Sequence, residues 1–166
     1  VKEKGKKALR INISTSSFVP KAFTPFQWVA QNSMEELDRK QNFLQKELRI
    51  KNVQYSWSDS KASFLEAVFA RGDRRLGKVI KKAWQKGCTF DGWAELFKFD
   101  TWMEAFEEEG IDPHFYANRQ RDVDEVFPWD HIDVGVNKKY LWREYQKALK
   151  MELTEDCRLN CTGCGV

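Results

Sequence analysis

The sequence contains few glycines and prolines, few cysteines and no long apolar run. Its 166 residues include only 9 glycines and 4 prolines, which excludes a fibrous or low-complexity protein. No apolar run approaches the roughly 18 residues that a membrane-spanning helix needs, so we expect no membrane association. No apolar segment of signal-peptide length follows the basic stretch 1–10, and a count of only 4 cysteines is typical of a reduced, cytoplasmic protein.

Aromatic surface, by contrast, is abundant. Hydrophobic residues make up 42% of the chain and aromatic residues 14%, with 7 tryptophans and 12 phenylalanines. A chain of this composition can bury enough apolar area to fold, which excludes intrinsic disorder for most of its length. The length suits one domain, or one domain with a fragment of another.

The charges are segregated along the chain. The net charge of +3 is too small to argue for nucleic-acid binding by itself. Residues 71–86, however, hold seven basic residues and one acid, whereas residues 91–112 hold eight acids and one lysine. Blocks of opposite sign more often pair with each other, or with a neighbouring domain, than form a nucleic-acid surface. We therefore expect these two blocks to pair.

The hydrophobic periodicity predicts an α+β chain that is mainly α-helical, with a few short strands. Apolar residues alternate at 9–15 and 53–57, as in half-buried strands, and two prolines exclude regular helix from the aromatic loop 18–28. The first strand has no partner before it, so we expect its neighbours to lie upstream in a longer protein. Helices are predicted to start at Ser33, Asp59 and Asp112-Pro113. Glycines are expected to end helices at Gly72, Gly87 and Gly110.

Three of the four cysteines, Cys157, Cys161 and Cys164, crowd the last ten residues. Thiolates this close in sequence can ligate zinc or iron. The spacing equals that of the radical SAM cluster triad, but that triad has an aromatic residue where this chain has Gly163. A structural metal such as zinc, an iron–sulfur cluster and a metal-free tail all stay open. Tetrahedral zinc needs a fourth ligand, for which the available side chains are Cys88, His114 and His131.

An arginine cluster is the second signal. Arg71, Arg74 and Arg75 stand at the start of a predicted helix, where guanidinium groups can clamp a phosphate or a carboxylate. The alternative for most of them is pairing with the acidic block or with Asp73. We treat all three as candidate substrate-binding residues.

Two further side chains are candidates for substrate binding. Lys21 lies in the proline-flanked loop and either faces a ligand or stays solvated. The second is His131, because an imidazole suits acid–base chemistry near neutral pH; a buried structural role is the alternative. The tryptophans on helical apolar faces are expected in the core rather than stacked on bases, and they are Trp84, Trp93, Trp102 and Trp142.

A series of motifs in one order, covering nearly the whole chain, resembles a known family. Loop 18–28 is similar to the last-strand loop of the radical SAM barrel in cobalamin-binding radical SAM proteins, and the rest is similar to that family's C-terminal extension. One departure is Ala22-Phe23, which stands where the family's loop has Pro-His, so no role of that histidine is carried over. The motifs are Phe18-Val-Pro-Lys-Ala-Phe-Thr-Pro-Phe-Gln-Trp28, Ser63-Phe-Leu-Glu-Ala67, Arg71-Gly-Asp-Arg-Arg75, Phe90-Asp-Gly-Trp93, Pro128-Trp-Asp-His-Ile-Asp133 and Asp156-Cys-Arg…Cys161-x2-Cys-Gly165.

The resemblance implies a domain organisation. Residues 1–50 would be the end of an incomplete radical SAM barrel, with its last strand, loop and helix. Residues 51–153 would be a helical C-terminal extension that caps the barrel and helps to shape the substrate site. Residues 154–166 would be a cysteine-rich metal-binding tail carrying zinc or an iron–sulfur cluster.

The resemblance also implies cofactors and partners that lie outside this chain. SAM, a 4Fe-4S cluster and cobalamin are expected only in the full-length protein, in upstream radical SAM and cobalamin-binding domains. The fragment alone is not expected to be catalytic. Its substrate stays open, with RNA modification as one candidate by analogy with related methylthiotransferases.

An alternative interpretation needs no upstream enzyme. The chain would then be a small zinc-stabilised module that binds RNA or protein and has no catalysis of its own. It would use the cysteine tail and the basic helix 74–86. A third interpretation is a scaffold domain whose charge blocks dock a partner. Salt-dependent RNA binding distinguishes the RNA-binding module from the other two.

Overall fold

The computed structural model describes residues 9–166, so the basic stretch 1–8 and the start of the expected barrel segment lie outside the described residues. The described part is mainly helical with two strands, which confirms the α+β class. No helix in this part is long and apolar enough to cross a membrane. In chain order the elements are β1 (Ile11–Thr15), α1 (Met34–Glu47), β2 (Val53–Trp57), α2 (Ser60–Ala70), α3 (Leu76–Gln85), α4 (Phe99–Glu108), α5 (His114–Ala117) and α6 (Lys138–Leu149).

The first three elements form a parallel β-α-β unit. Ile11 pairs with Val53 and Thr15 with Trp57, because α1 carries the chain back to the end of the sheet where β1 began. The expectation that the neighbours of β1 lie upstream was therefore wrong for one of them, since β2 follows β1 in sequence. Strand periodicity located both strands but carries no information on which strands pair.

The two-stranded sheet is only partly covered by the described residues. Ile11 is 44% exposed and Trp57 is 41% exposed. The Tyr55 and Trp57 rings stack on each other with 5.1 Å between their centroids. Because parallel sheets are normally buried on both faces, this sheet has apolar surface available for further strands or helices.

Side-chain caps set the starts of α1 and α2. The Ser33 hydroxyl accepts a hydrogen bond from the Glu36 N–H, and the Asp59 carboxylate accepts one from the Ala62 N–H at 2.8 Å. Both caps were predicted from the sequence. The Glu36 carboxylate forms an ion pair with Arg39 on the same helix.

Two apolar cores hold the helices together. The larger core lies among α2, α3, α4 and α5, and Val19 and Met34 pack against it from the N-terminal segment. The smaller core joins Trp28 of the aromatic loop to Phe127, Trp129 and Leu141. Both cores and the sheet therefore cross the expected domain boundary between residues 50 and 51.

The basic and acidic blocks pair across α3 and α4, as the charge pattern predicts. Lys82 forms ion pairs with Glu108 and Glu109, and Lys86 forms ion pairs with Glu104 and Glu108. These contacts neutralise part of the basic helix on which the RNA-binding alternative depends.

The apolar face of α3 is only partly core. Val79 and Ala83 are fully buried, whereas Ile80 is 47% exposed and Trp84 is 64% exposed. Helix α3 is covered on one face only, so the outer edge of a wide stripe stays in solvent. Of the other tryptophans expected in the core, Trp102 is buried, Trp142 is half-buried and Trp93 is exposed.

Candidate functional site

Three of the five predicted substrate-binding side chains line one open cleft of about 560 Å³. Two come from the turn between α2 and α3, and the third comes from the turn that precedes α6. We call this the arginine–histidine cleft. Its lining residues are Gly72, Asp73, Arg74, Arg75, Pro128 and His131.

Gly72 allows α3 to begin directly after α2. A Cβ atom at this position would lie 2.0 Å from Cδ1 of Leu76 and 2.9 Å from the carbonyl oxygen of Val68. Leu76 belongs to the larger core, so it has little room to give way. The absence of a side chain at Gly72 thus lets the chain turn tightly and present Arg74 and Arg75 at the start of α3.

Asp73 fixes the orientation of Arg75. Its carboxylate accepts hydrogen bonds from the Arg75 side chain, with Nε at 3.0 Å and Nη2 at 2.7 Å, and from the Arg75 backbone N–H at 2.9 Å. These bonds hold the pKa of Asp73 below its ordinary value. The guanidinium also lies over the rings of Phe115 and Tyr116. Arg75 is therefore held in place, with its charge partly balanced.

Arg74 lacks such a counterion. It is exposed and takes part in none of the ion pairs formed among residues 9–166. Its backbone is fixed, since its carbonyl accepts the Gly77 N–H at 3.1 Å in the first turn of α3. The Arg74 guanidinium is thus available to an anion from solution.

His131 is exposed, which removes the alternative of a buried structural histidine. It lines the arginine–histidine cleft and also a second cavity of about 410 Å³ that includes Phe23 and Gln27 of the aromatic loop. An imidazole between two cavities can donate or accept a proton for a ligand in either one.

Gln27 ties the aromatic loop to the turn that carries His131. Its buried Oε1 accepts hydrogen bonds from the Trp129 Nε1–H at 3.0 Å and from the Phe23 N–H at 3.2 Å. Phe23 has φ of 56°, in the left-handed region that a bulky residue rarely adopts. These contacts fix the position of the turn, and they link it to the loop that leaves β1.

Arg71 is buried beside the cleft and does not line it. Its side chain is 1% exposed. The guanidinium donates to the carbonyl oxygens of Val29 at 2.6 Å, Ala117 at 3.1 Å and Arg119 at 2.9 Å. Burial, followed by repulsion from Arg121, lowers the pKa of Arg71 to about 10. Arg71 thus ties the aromatic loop and the segment after α5 to the end of α2.

A second buried arginine, which sequence reasoning missed, extends this network. Arg121 Nη2 donates to the carbonyl oxygen of Arg71 at 2.5 Å, and its guanidinium lies over the Phe127 ring. Glu125 pairs with Arg119 at 2.7 Å and lies 3.7 Å from Arg121. The only sequence signal for Arg121 is that Glu125 lies four residues later. Exposed ion pairs have the same spacing, so the sequence does not indicate that Arg121 is buried.

Lys21 lies outside the cleft. Its ammonium pairs with the carboxylate of Glu66 on α2, and both side chains stay about half exposed. Of the predicted substrate-binding residues, Arg74, Arg75 and His131 are therefore brought together, Arg71 supports them from the interior, and Lys21 is separate.

The cysteine tail packs against the start of α6. The Cys164 carbonyl accepts a hydrogen bond from the Asn137 N–H at 2.7 Å, and Arg143 donates to the Thr162 carbonyl. A Cβ on Gly165 would lie 2.8 Å from the Gly135 carbonyl oxygen, so only glycine lets the tail approach this closely.

The three tail cysteines do not form a metal site as positioned. Cys157 and Cys161 are exposed and Cys164 is half-buried. Within residues 9–166, no group of three or more His, Cys, Asp or Glu side chains is arranged to hold a metal ion. Cys88 is enclosed in the larger core, where burial raises the pKa of its thiol. A zinc or iron–sulfur centre at the tail is therefore supported by the cysteine spacing and not by this arrangement.

Comparisons with known proteins returned no match. No protein-family model, no curated protein and no solved structure matched the chain. The similarity to cobalamin-binding radical SAM proteins therefore stays a prediction from motifs, and the candidate site rests on geometry.

Proposed function

We propose that this chain is the C-terminal part of a radical SAM iron–sulfur enzyme, in which the helical extension caps the barrel and helps to shape the substrate site. The observation that carries the proposal is the parallel β1-α1-β2 unit with its exposed strands. Parallel (β/α) barrels are built by repeating this unit. Very small sheets are at best marginally stable, and parallel sheets are normally covered on both faces. The unit is therefore suited to continue a larger parallel sheet.

The position of the cleft supports a role at the substrate site. The aromatic loop leaves the carboxyl end of β1, which is the edge at which parallel α/β folds bind their ligands. Trp28 of that loop packs against Phe127 in the smaller core, and Gln27 hydrogen-bonds Trp129. The extension thus meets the loop beside His131 and the arginine–histidine cleft.

The proposal assigns the radical chemistry to other parts of the protein. The 4Fe-4S cluster, SAM and cobalamin belong to upstream domains, which are this chain's partners in a cytoplasmic enzyme. Within residues 9–166 the side chains of the cleft bind and orient substrate. The chain alone is expected to be inactive.

We further propose that Cys157, Cys161 and Cys164 bind zinc or an iron–sulfur cluster in the assembled protein. Two of these thiols are exposed, and the contacts of Thr162 and Cys164 with α6 leave the turn 156–160 on the surface. The metal then stabilises the tail rather than taking part in the reaction.

Metal and sulfide analysis tests both proposals. The natural gene product and residues 1–166 are purified anaerobically and analysed for iron, acid-labile sulfide and zinc. The natural gene product is expected to contain about four more iron atoms and four more sulfides per chain than residues 1–166. Equal iron and sulfide in the two would contradict the proposal.

Cys161→Ser is the matched variant for the tail. Loss of zinc without loss of sulfide would assign a structural zinc site to these cysteines, and loss of iron with sulfide would assign a second cluster. Unchanged metal content in the variant would leave the tail metal-free. The alternative of an RNA-binding module receives less support from the geometry, because Lys82 and Lys86 already pair with acids.

A further inference from the structure

The arginine–histidine cleft has more cationic than anionic groups around it. Arg74, Arg75 and His131 line it, and Asp73 is the only carboxylate among the lining residues. Asp73 is already bound by Arg75 through two side-chain nitrogens and one backbone N–H. The charge of Arg74 is therefore not balanced within the cleft.

The arginines beside the cleft add to this excess. Arg71 and Arg121 are buried and Arg119 is half-buried, and the carboxylates near them are those of Glu125 and, for Arg121, Asp73. Arg71 itself donates only to carbonyl groups, and the Nε atoms of all three arginines are buried without a hydrogen-bond partner. Incompletely balanced charges in a poorly solvated interior act over longer distances than charges in water. They raise the potential at the adjacent cleft wall, 72–75.

The arrangement of the donors suits a tetrahedral anion. Arg74 and Arg75 lie in the turn that leads into α3. The first N–H groups of the helix already donate to the carbonyls of 73–75, so the side chains supply the donors for an anion. His131 approaches from a different segment of the chain. Two guanidinium groups and an imidazole can contact several oxygens of a phosphate, whereas a carboxylate offers only two.

The size of the cleft distinguishes a small molecule from a polymer. Its volume of about 560 Å³ lies in the ordinary range of small-molecule sites. A polynucleotide needs an extended basic track. The basic face of α3 is instead interrupted where Lys82 and Lys86 pair with α4.

We infer that the arginine–histidine cleft binds the phosphate group of a phosphorylated small molecule. Arg74 and His131 make the direct contacts, and Arg75 is positioned by Asp73 to complete the site. The existence of the phosphate site does not depend on the radical SAM proposal. The assignment of the bound phosphate to the substrate of a radical SAM enzyme does rest on that proposal.

The test is an NMR titration of the chain with inorganic phosphate, methyl phosphate and acetate. We expect the amide signals of 73–76 and 131 to shift with both phosphates at lower concentrations than with acetate. Arg74→Gln is expected to weaken phosphate binding about tenfold, which corresponds to about 1.4 kcal/mol. His131→Gln is expected to weaken phosphate binding, because the imidazole makes one of the direct contacts.

Arg39→Gln is the matched control, because it removes the same charge from an exposed arginine that pairs only within α1. It should leave phosphate binding unchanged. Equal affinity for acetate and phosphate, or equal weakening by Arg39→Gln and Arg74→Gln, would overturn the inference. Displacement of phosphate by single-stranded RNA with a steep salt dependence would replace the small molecule with a nucleic acid.

The two proposals fail separately. Phosphate binding by the chain, together with a natural protein that holds no cluster, would refute the radical SAM proposal and leave the phosphate site in place. A cluster in the natural protein, together with a cleft that does not bind phosphate, would do the reverse.

Discussion

Replacement of Arg71 by methionine tests how the cleft is supported. The three carbonyl oxygens that its guanidinium contacts, those of Val29, Ala117 and Arg119, belong to two segments far from α2 in sequence. Methionine roughly fills the volume but donates no hydrogen bond. The carbonyls of Val29 and Arg119 then lose their partner, whereas that of Ala117 keeps the Gln31 N–H at 2.9 Å. Hydrogen bonds to charged groups contribute about 1.5–3 kcal/mol each. Allowing for water that reaches the exposed side of the site, we expect a loss of about 4 kcal/mol.

Urea unfolding followed by tryptophan fluorescence measures this loss, since Trp28 is fully buried. A single domain is stable by about 5–15 kcal/mol, so the denaturation midpoint should fall by a large fraction. Arg39→Met, at an exposed pair on α1, is the control and should leave the midpoint almost unchanged. Arg71→Lys keeps the charge but not the planar fork, and an intermediate loss is expected.

The reasoning would be refuted if Arg71→Met cost no more than Arg39→Met. That result would mean that water or neighbouring donors satisfy the three carbonyls equally well. A loss confined to phosphate binding, with unchanged stability, would instead place the Arg71 guanidinium in the cleft.

Three further predictions concern glycine, acid and charge pairs. Gly72→Ala should destabilise the fold by about 2 kcal/mol in urea unfolding, since its Cβ would collide with the core. Gly77→Ala is the matched change, because a Cβ at this position meets no atom within 4 Å, and it should stabilise the helix by about 0.5 kcal/mol. The hydrogen bond from Arg119 lowers the pKa of Glu125, so its contribution is present above the ordinary value of 4.5 and is lost as the pH falls through the lower, folded value; Glu125→Gln should flatten the acid limb of a stability–pH curve. Lys86→Met should lower the stability only slightly, and the loss should become smaller when salt is added to the unfolding experiment.

Much of the local structure is encoded locally, and this explains which elements could be predicted. Ser33 and Asp59 start helices because their side chains bond to backbone groups three residues away. Positive φ angles at Gly87 and Gly110 mark the ends of α3 and α4, where glycine was expected to stop each helix. The strands were located because apolar alternation is also a local pattern.

What the sequence did not reveal depends on contacts between distant segments. The pairing of β1 with β2 and the burial of Arg71 and Arg121 are set by tertiary packing. An arginine that caps backbone carbonyls has the same local sequence as one that binds a ligand. For the same reason, the sequence indicated Arg74 and His131 as separate candidates but did not predict that they line one cleft.

The most direct test of the proposed function is reductive cleavage of SAM. The natural gene product is reduced anaerobically with dithionite in the presence of SAM, and 5′-deoxyadenosine is measured by chromatography, with residues 1–166 assayed in parallel. The account predicts 5′-deoxyadenosine from the natural protein and none from residues 1–166. A natural protein that holds no cluster and forms no 5′-deoxyadenosine would contradict it.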